Sequence, residues 1–199
     1  RDVVRRRLGL SGTVLLSVGH VTRRKGHHLA VEALRELPEA TLLIAGDGWY
    51  EGPLRELAAS FGVQERVRFL GQVDQEALKD YYSAADALVL ASSREGIANV
   101  LLESMACGTP VIATAVWGTP EAVNAPEAGV LMAERSAPAL VEAARRLFAT
   151  YPDRAATRRH AAKFRWEQTS REHLEVLSAA VRGREPVRVF RPTSSFATP

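Results

Sequence analysis

Glu95 and Glu103, with Asn99 midway between them, fall in one short stretch, Arg94 to Thr114 (REGIANVLLESMACGTPVIAT). A second stretch, His20 to Gly26 (HVTRRKG), brings His20, Arg23, Arg24 and Lys25 together. Carboxylates accept hydrogen bonds from hydroxyls, whereas basic side chains and the free N–H groups of a helix start attract phosphate. The two stretches together suit a ligand that carries both groups, such as a sugar nucleotide. Taken singly, each acid also has an ordinary reading, Glu103 as an early-helix acid favoured by the dipole and Glu95 as a solvated loop residue.

The surrounding elements must position these groups. Ala87 to Ala91 is a short, continuous apolar run of the kind a buried parallel strand requires. Glu95 is therefore expected in the loop at the strand's carboxyl end, the edge along which open α/β sheets bind ligands. Asn99 is expected to cap a helix over Val100 to Ala106, because its side chain can accept a first-turn N–H. Gly108 and Pro110 then stop that helix, and Val111 opens the next strand. Glu103 lies roughly 6 Å along the axis from Asn99, so both carboxylates are expected to face one pocket.

The rest of the chain alternates in the same way. Thr13 to Val18 predicts a strand ended by Gly19, and the basic loop leads into a helix with Leu29, Ala30, Ala33, Leu34 and Leu37 on its apolar face. A strand, a glycine, a basic loop and a helix start make a phosphate cradle. Thr41 to Ala45 predicts a second strand, and Pro53 to Phe61 a helix with Pro53 at its first position. Gly46 and Gly48 are followed by Gly52, one residue beyond the dinucleotide fingerprint, which counts against a hydride-transferring enzyme. Further strands are expected at Val67 to Leu70 and Gly129 to Met132. Helices are expected at Gln75 to Ala84 (Leu78, Tyr81 and Tyr82 inward), Ala139 to Phe148, Pro152 to Phe164 and Trp166 to Val181. About six strand–helix alternations predict an α/β fold, a Rossmann-like doubly wound parallel sheet with helices on both faces. Residues 1–12 read as a lead-in helix and linker cut from something longer, 13–182 as the domain, and 183–199 as a mobile tail.

Composition sets the outer limits. In 199 residues, 46% hydrophobic side chains suffice for a substantial core. The net charge of +3, from 26 basic and 23 acidic residues, is too diffuse for a nucleic-acid protein. The single Cys107 excludes an internal disulfide and a multi-cysteine zinc site, and its place at the end of an apolar helix favours a packed thiol over a nucleophile. With no long apolar window and no signal peptide, a cytoplasmic protein is expected.

The string E-G-x-x-N-x-x-x-E-x-M-A-x-G-x-P-V-I-A-T, from Glu95 to Thr114, resembles the signature of glycosyltransferase family 4 and its retaining relatives of the GT-B fold. The resemblance covers roughly Val14 to Val181, half of a two-domain enzyme, and implies the C-terminal, donor-binding half. It implies Lys25 in the lysine position of the family's VGRxxxxKG segment, with His20 where arginine is usual. It implies Glu95 on the donor sugar, Glu103 on the ribose hydroxyls, and the turn at Gly71 and Gln72 on the base. His20, Arg24 and Lys25 fall to the phosphates. The loop amides of Gly96, Ile97, Ala98, Asn99, Gly118 and Thr119 complete the donor-binding set, with Glu95 and Lys25 as catalytic residues. Trp117 replaces the first glycine of the family's GGxPE, where an indole narrows the sugar site, adds a stacking surface or weakens activity; Trp49 and Tyr50 wall the pocket or cover the core. No metal and no cofactor are implied, since Asp-x-Asp is absent and the nucleotide diphosphate sugar is the substrate. The partners implied are that donor and a missing N-terminal acceptor domain. No nucleic acid is implied, and membrane contact would come only through the missing half. The alternatives are a non-catalytic nucleotide- or partner-binding module of the same fold, and a sugar-nucleotide epimerase.

Overall fold

The computed structural model describes residues 1–182, so the expectation for 183–199 lies outside the described residues. Residues Arg1–Ala162 form one compact unit, and the second unit, from Lys163 onward, carries one described helix.

In the first unit, runs of buried aliphatic residues become strands: β1 (Thr13–Val18), β2 (Ala40–Ala45), β3 (Val67–Gly71), β4 (Ala87–Leu90), β5 (Val111–Thr114) and β6 (Gly129–Met132). Among the described residues they make one six-stranded sheet in the order β3-β2-β1-β4-β5-β6, every neighbouring pair parallel. β1 and β4 are buried along almost their whole length, as a sheet covered on both faces requires. The α-helices of this unit are α1 (Asp2–Arg7), α2 (His27–Ala33), α3 (Glu51–Ser60), α4 (Gln75–Ala84), α5 (Asn99–Ala106), α6 (Thr119–Ala122), α7 (Ala137–Ala149) and α8 (Arg154–Ala161).

Alternation along the strands divides the core. Leu15, Leu42, Ile44, Val89 and Ile112 point to one face and pack with Leu29 and Val31 of α2, Leu54 of α3 and Leu140 and Leu147 of α7. Their neighbours Val14, Leu16, Leu43, Leu88 and Val111 are equally buried on the opposite side, where α4 packs against β1 and α5 against β4 and β5. The expected doubly wound parallel sheet is the fold observed. Three local expectations need correction. The helix expected over Pro152 to Phe164 is α8, Arg154–Ala161, capped by the Asp153 side chain, which accepts from the Ala156 N–H. α3 begins at Glu51, so Pro53 is its third residue; it is tolerated there because first-turn N–H groups have no partner inside the helix. α7 begins at Ala137, capped by the Ser136 hydroxyl, which accepts from the Ala139 N–H.

The lead-in segment is tied to the sheet. Arg5 donates to the Ala84 carbonyl at 2.9 Å and pairs with Asp86 at 3.1 Å, while Asp86 also accepts from the Val14 N–H at 2.7 Å. In the second unit α9 (Trp166–Val181) leaves Leu174, Leu177 and Val181 exposed. No helix among the described residues is long and apolar enough to cross a membrane.

Candidate functional site

The strand order reverses between β1 and β4, so the loops leaving these two strands diverge and open a crevice at the carboxyl edge. The loop after β1 carries the basic cluster, and the loop after β4 carries Glu95. Gly26 brings them together: its φ is 77°, and a Cβ there would stand 2.0 Å from the Ala91 carbonyl oxygen. Only glycine permits that approach. The Ser93 N–H donates to the Arg24 carbonyl at 3.0 Å, and Arg24 Nη1 to the Arg94 carbonyl at 2.9 Å. Across this seam Lys25 Nζ meets Glu95 Oε1 at 2.6 Å, both side chains mostly shielded, and Arg24 stands 3.8 Å from the same oxygen. Residues 70 positions apart thus form a charged pair at the switch point.

Beneath the basic loop lies His27, the first residue of α2 and almost wholly buried. Its Nδ1 is 2.8 Å from Ser17 Oγ and its Nε2 is 3.3 Å from the His20 carbonyl, while Ser17 donates to the Val89 carbonyl at 3.1 Å. Burial is the main cause that lowers the His27 pKa to about 4, with the charge of Lys25 adding to it. The imidazole is therefore neutral at pH 7, with a single N–H; since Ser17 donates to Val89, that N–H is on Nδ1 and donates to Ser17, and the pair braces the start of α2 against β1 and β4.

On the outer side of β1 a cavity of about 300 Å³ is lined by Val18, Gly19, His20, Gly46, Gln72 and Val73, among others. Gln72 Nε2 donates to Asp47 Oδ2 at 2.8 Å, and His20 Nδ1 lies 3.7 Å from Asp47 Oδ1. Gly71, at φ 66°, accepts the Gly46 N–H through its carbonyl at 2.7 Å. Of the predicted residues, His20 and Gln72 line this cavity; Glu95 and Glu103 are not among its walls. Glu103 Oε2 instead accepts from the Tyr82 hydroxyl of α4 at 2.8 Å, leaving Oε1 available. Burial, reinforced by the Glu103 charge, raises the Tyr82 pKa, so the phenol keeps its proton.

The Asn99 expectation needs correction. α5 starts at Asn99, Ala98 occupies the capping position, and no side chain among the described residues caps this helix start. With its own backbone already helical, Asn99 is displaced from the extended geometry in which a capping side chain reaches the N2 and N3 amides. Gly96, Ile97 and Asn99 are exposed and Ala98 half-buried. Gly118 packs against Gly96 and Ile97: a Cβ there would meet Ile97 Cγ1 at 3.0 Å and the Gly96 carbonyl at 3.1 Å. Thr119 is fully buried at the start of α6; its N–H donates to the Val116 carbonyl at 2.9 Å, and its Oγ1 has no hydrogen-bond partner among the described residues. Trp117, between β5 and α6, adopts φ 45° and is 68% exposed. A left-handed conformation costs a bulky L-residue about 1–2 kcal/mol. Trp49 is 72% exposed, while Tyr50 packs against the core. Cys107 is half-buried, and burial pushes its thiol up.

His27, Ser17 and Arg135 have no counterpart in the sequence reading. Arg135, in the turn before α7, donates to the carbonyls of Ala91 at 2.9 Å and Arg23 at 3.1 Å. Its only signal in sequence is an arginine beside a helix start, which is too common to single out.

A match to the family described as glycosyl transferases group 1 spans residues 4–164. The chain is 37% identical, over 196 residues, to a D-inositol 3-phosphate glycosyltransferase of Geodermatophilus obscurus, with 90% of this chain and 44% of that protein covered. It therefore spans less than half the length of that relative. It is similar in structure to sucrose-phosphate synthase from Thermosynechococcus elongatus, with a TM-score of 0.78 and 32% identity over 92% of this chain and 49% of that one. It also shares the fold of Anabaena Alr3699/HepE, a structure in complex with UDP, with a TM-score of 0.79 and 24% identity over 89% of this chain and 52% of that one.

Proposed function

The chain belongs to the glycosyl transferases group 1 family, and from that premise we propose that it is the donor-binding domain of a retaining, family 4-type glycosyltransferase. The ligand is a nucleotide diphosphate sugar, and a second domain supplies the acceptor. The observation that carries this reading is the Lys25–Glu95 pair at 2.6 Å across the switch point of a parallel sheet.

Each part of that ligand has a complementary group. Departure of the diphosphate leaves extra negative charge on the leaving phosphate, and Lys25 with Arg24 supplies fixed positive charge there without a metal ion. Glu95, in the adjoining loop, accepts from sugar hydroxyls. Gly96 and Ile97, against which Gly118 packs, and Ala98 and Asn99 after them offer backbone amides, as does Gly118 before the next helix, whereas the Thr119 N–H already donates to the Val116 carbonyl. The cavity beside His20, Gly71 and Gln72 takes the base. Glu103 takes the ribose hydroxyls through Oε1 while Tyr82 holds Oε2.

Calorimetric titration of the chain with UDP, GDP and ADP, followed by the sugar nucleotides of whichever base binds, tests the proposal. Selective binding is expected, weakened in Glu103→Ala by about 1.5–3 kcal/mol, the range for hydrogen bonds to charged groups. Unaltered affinity in that variant would defeat the ribose assignment, and no binding of any nucleotide would defeat the donor-domain reading.

A further inference from the structure

Lys25 and Glu95 stand on separate loops, and a ligand that needs both requires those loops to keep one register. A third segment ties them. Arg135 lies between β6 and α7, 112 residues from Arg23. Its Nε donates to the Ala91 carbonyl at 2.9 Å and its Nη2 to the Arg23 carbonyl at 3.1 Å. Ala91 is the residue whose carbonyl oxygen faces Gly26, and Arg23 opens the turn that ends in Lys25. A guanidinium is a planar fork of fixed donors, so bonds to two carbonyls set the distance and angle between the segments that carry them. Both acceptors are backbone groups rather than a carboxylate.

We propose that Arg135 is a positioning residue, clamping the basic loop after β1 against the Glu95 loop after β4 so that Lys25 and Glu95 meet the ligand in a preformed geometry. The proposal rests on the reading of this crevice as a nucleotide-sugar site and extends it to a residue outside both loops. Its chemistry separates it from a second way in which an arginine could act, as a general positive charge that attracts the diphosphate. Lysine would preserve the charge but not the two-point fork.

The test compares Arg135→Lys and Arg135→Met with the unaltered chain in calorimetric titrations with UDP, GDP and ADP. Thermal melting and amide hydrogen exchange of the free proteins complete it. Both variants are expected to bind the accepted nucleotide about tenfold more weakly, as loss of oriented, charge-assisted hydrogen bonds implies. Melting temperatures are expected to stay within a few degrees. The Ser93 N–H, which donates to the Arg24 carbonyl, and the Gly26 N–H, which donates to the Arg23 carbonyl, are expected to exchange faster in both. Full rescue by Arg135→Lys would overturn the proposal in favour of simple charge, and lowered melting with unchanged affinity would reduce Arg135 to a structural role. If the unaltered chain binds none of the nucleotides, the donor-site reading fails by itself. Exchange at Ser93 then decides the clamp, with unchanged protection overturning it.

Discussion

Lys25 and Glu95 neutralise each other at the point where the proposed ligand brings its own negative charge. A diphosphate competes with the Glu95 carboxylate for the charge of Lys25: its three N–H donors can serve both, but Glu95 offsets part of the positive charge that the diphosphate meets. In Glu95→Gln the amide oxygen accepts from Lys25 without neutralising it. Affinity for the free nucleoside diphosphate is therefore expected to rise by about three- to tenfold, while the added affinity contributed by an attached sugar falls. Titration with paired ligands, UDP against UDP-glucose or the equivalent for the accepted base, measures both. A variant that binds the diphosphate more weakly would show that Glu95 does not compete. Trp117 shows another residue-scale tension: its backbone is strained and its side chain is exposed, so burial in this domain contributes little in return.

The element that carries most consequence is the start of α2, held by the His27–Ser17 strut. In the native protein the His27 pKa is lowered to about 4 from 6.5, chiefly by burial. Above pH 6.5 both native and unfolded chains hold a neutral imidazole, and the site costs nothing. As the pH falls from 6.5 toward 4, the unfolded chain binds a proton that the native chain refuses, and stability is lost. About 1 kcal/mol is expected to go between pH 6.5 and 5.5. His28 shifts in the same direction, again mainly through burial, and adds to the slope. Urea unfolding at several pH values should show the decline, and His27→Gln should flatten it. An equal decline in that variant would assign the proton uptake elsewhere.

At the scale of the whole molecule, the core residues that fuse the sheet to α2, α3 and α7 run from Leu15 to Leu147, all inside the unit Arg1–Ala162. A chain ending at Ala162 is therefore expected to fold by itself with a single cooperative thermal transition. Calorimetry checks this, and a broad or absent transition would show that the unit depends on the segment that follows. The same unit contains every residue assigned to the donor site, so the shortened chain should keep its nucleotide affinity if the donor reading holds.

Periodicity and punctuation by themselves determined the fold class and most element boundaries. Buried parallel strands read as unbroken aliphatic runs, and glycine and proline mark where they stop, so β1, α4, β6 and α9 coincide with their expected residues. The helix starts at Asn99 and Glu51 were less legible, because several residues near a first turn can occupy its cap and the choice depends on how the preceding loop is packed. The string from Glu95 to Thr114 and the basic loop pointed to the candidate site because their residues are close in sequence. Only the tertiary structure decided which groups meet. Parallel strand order put Lys25 beside Glu95, gave Glu103 to Tyr82, separated both acids from the His20–Gln72 cavity and brought Arg135 to the seam. Those pairings depend on strand order and on the reach of individual side chains, and a linear pattern of residue types encodes neither.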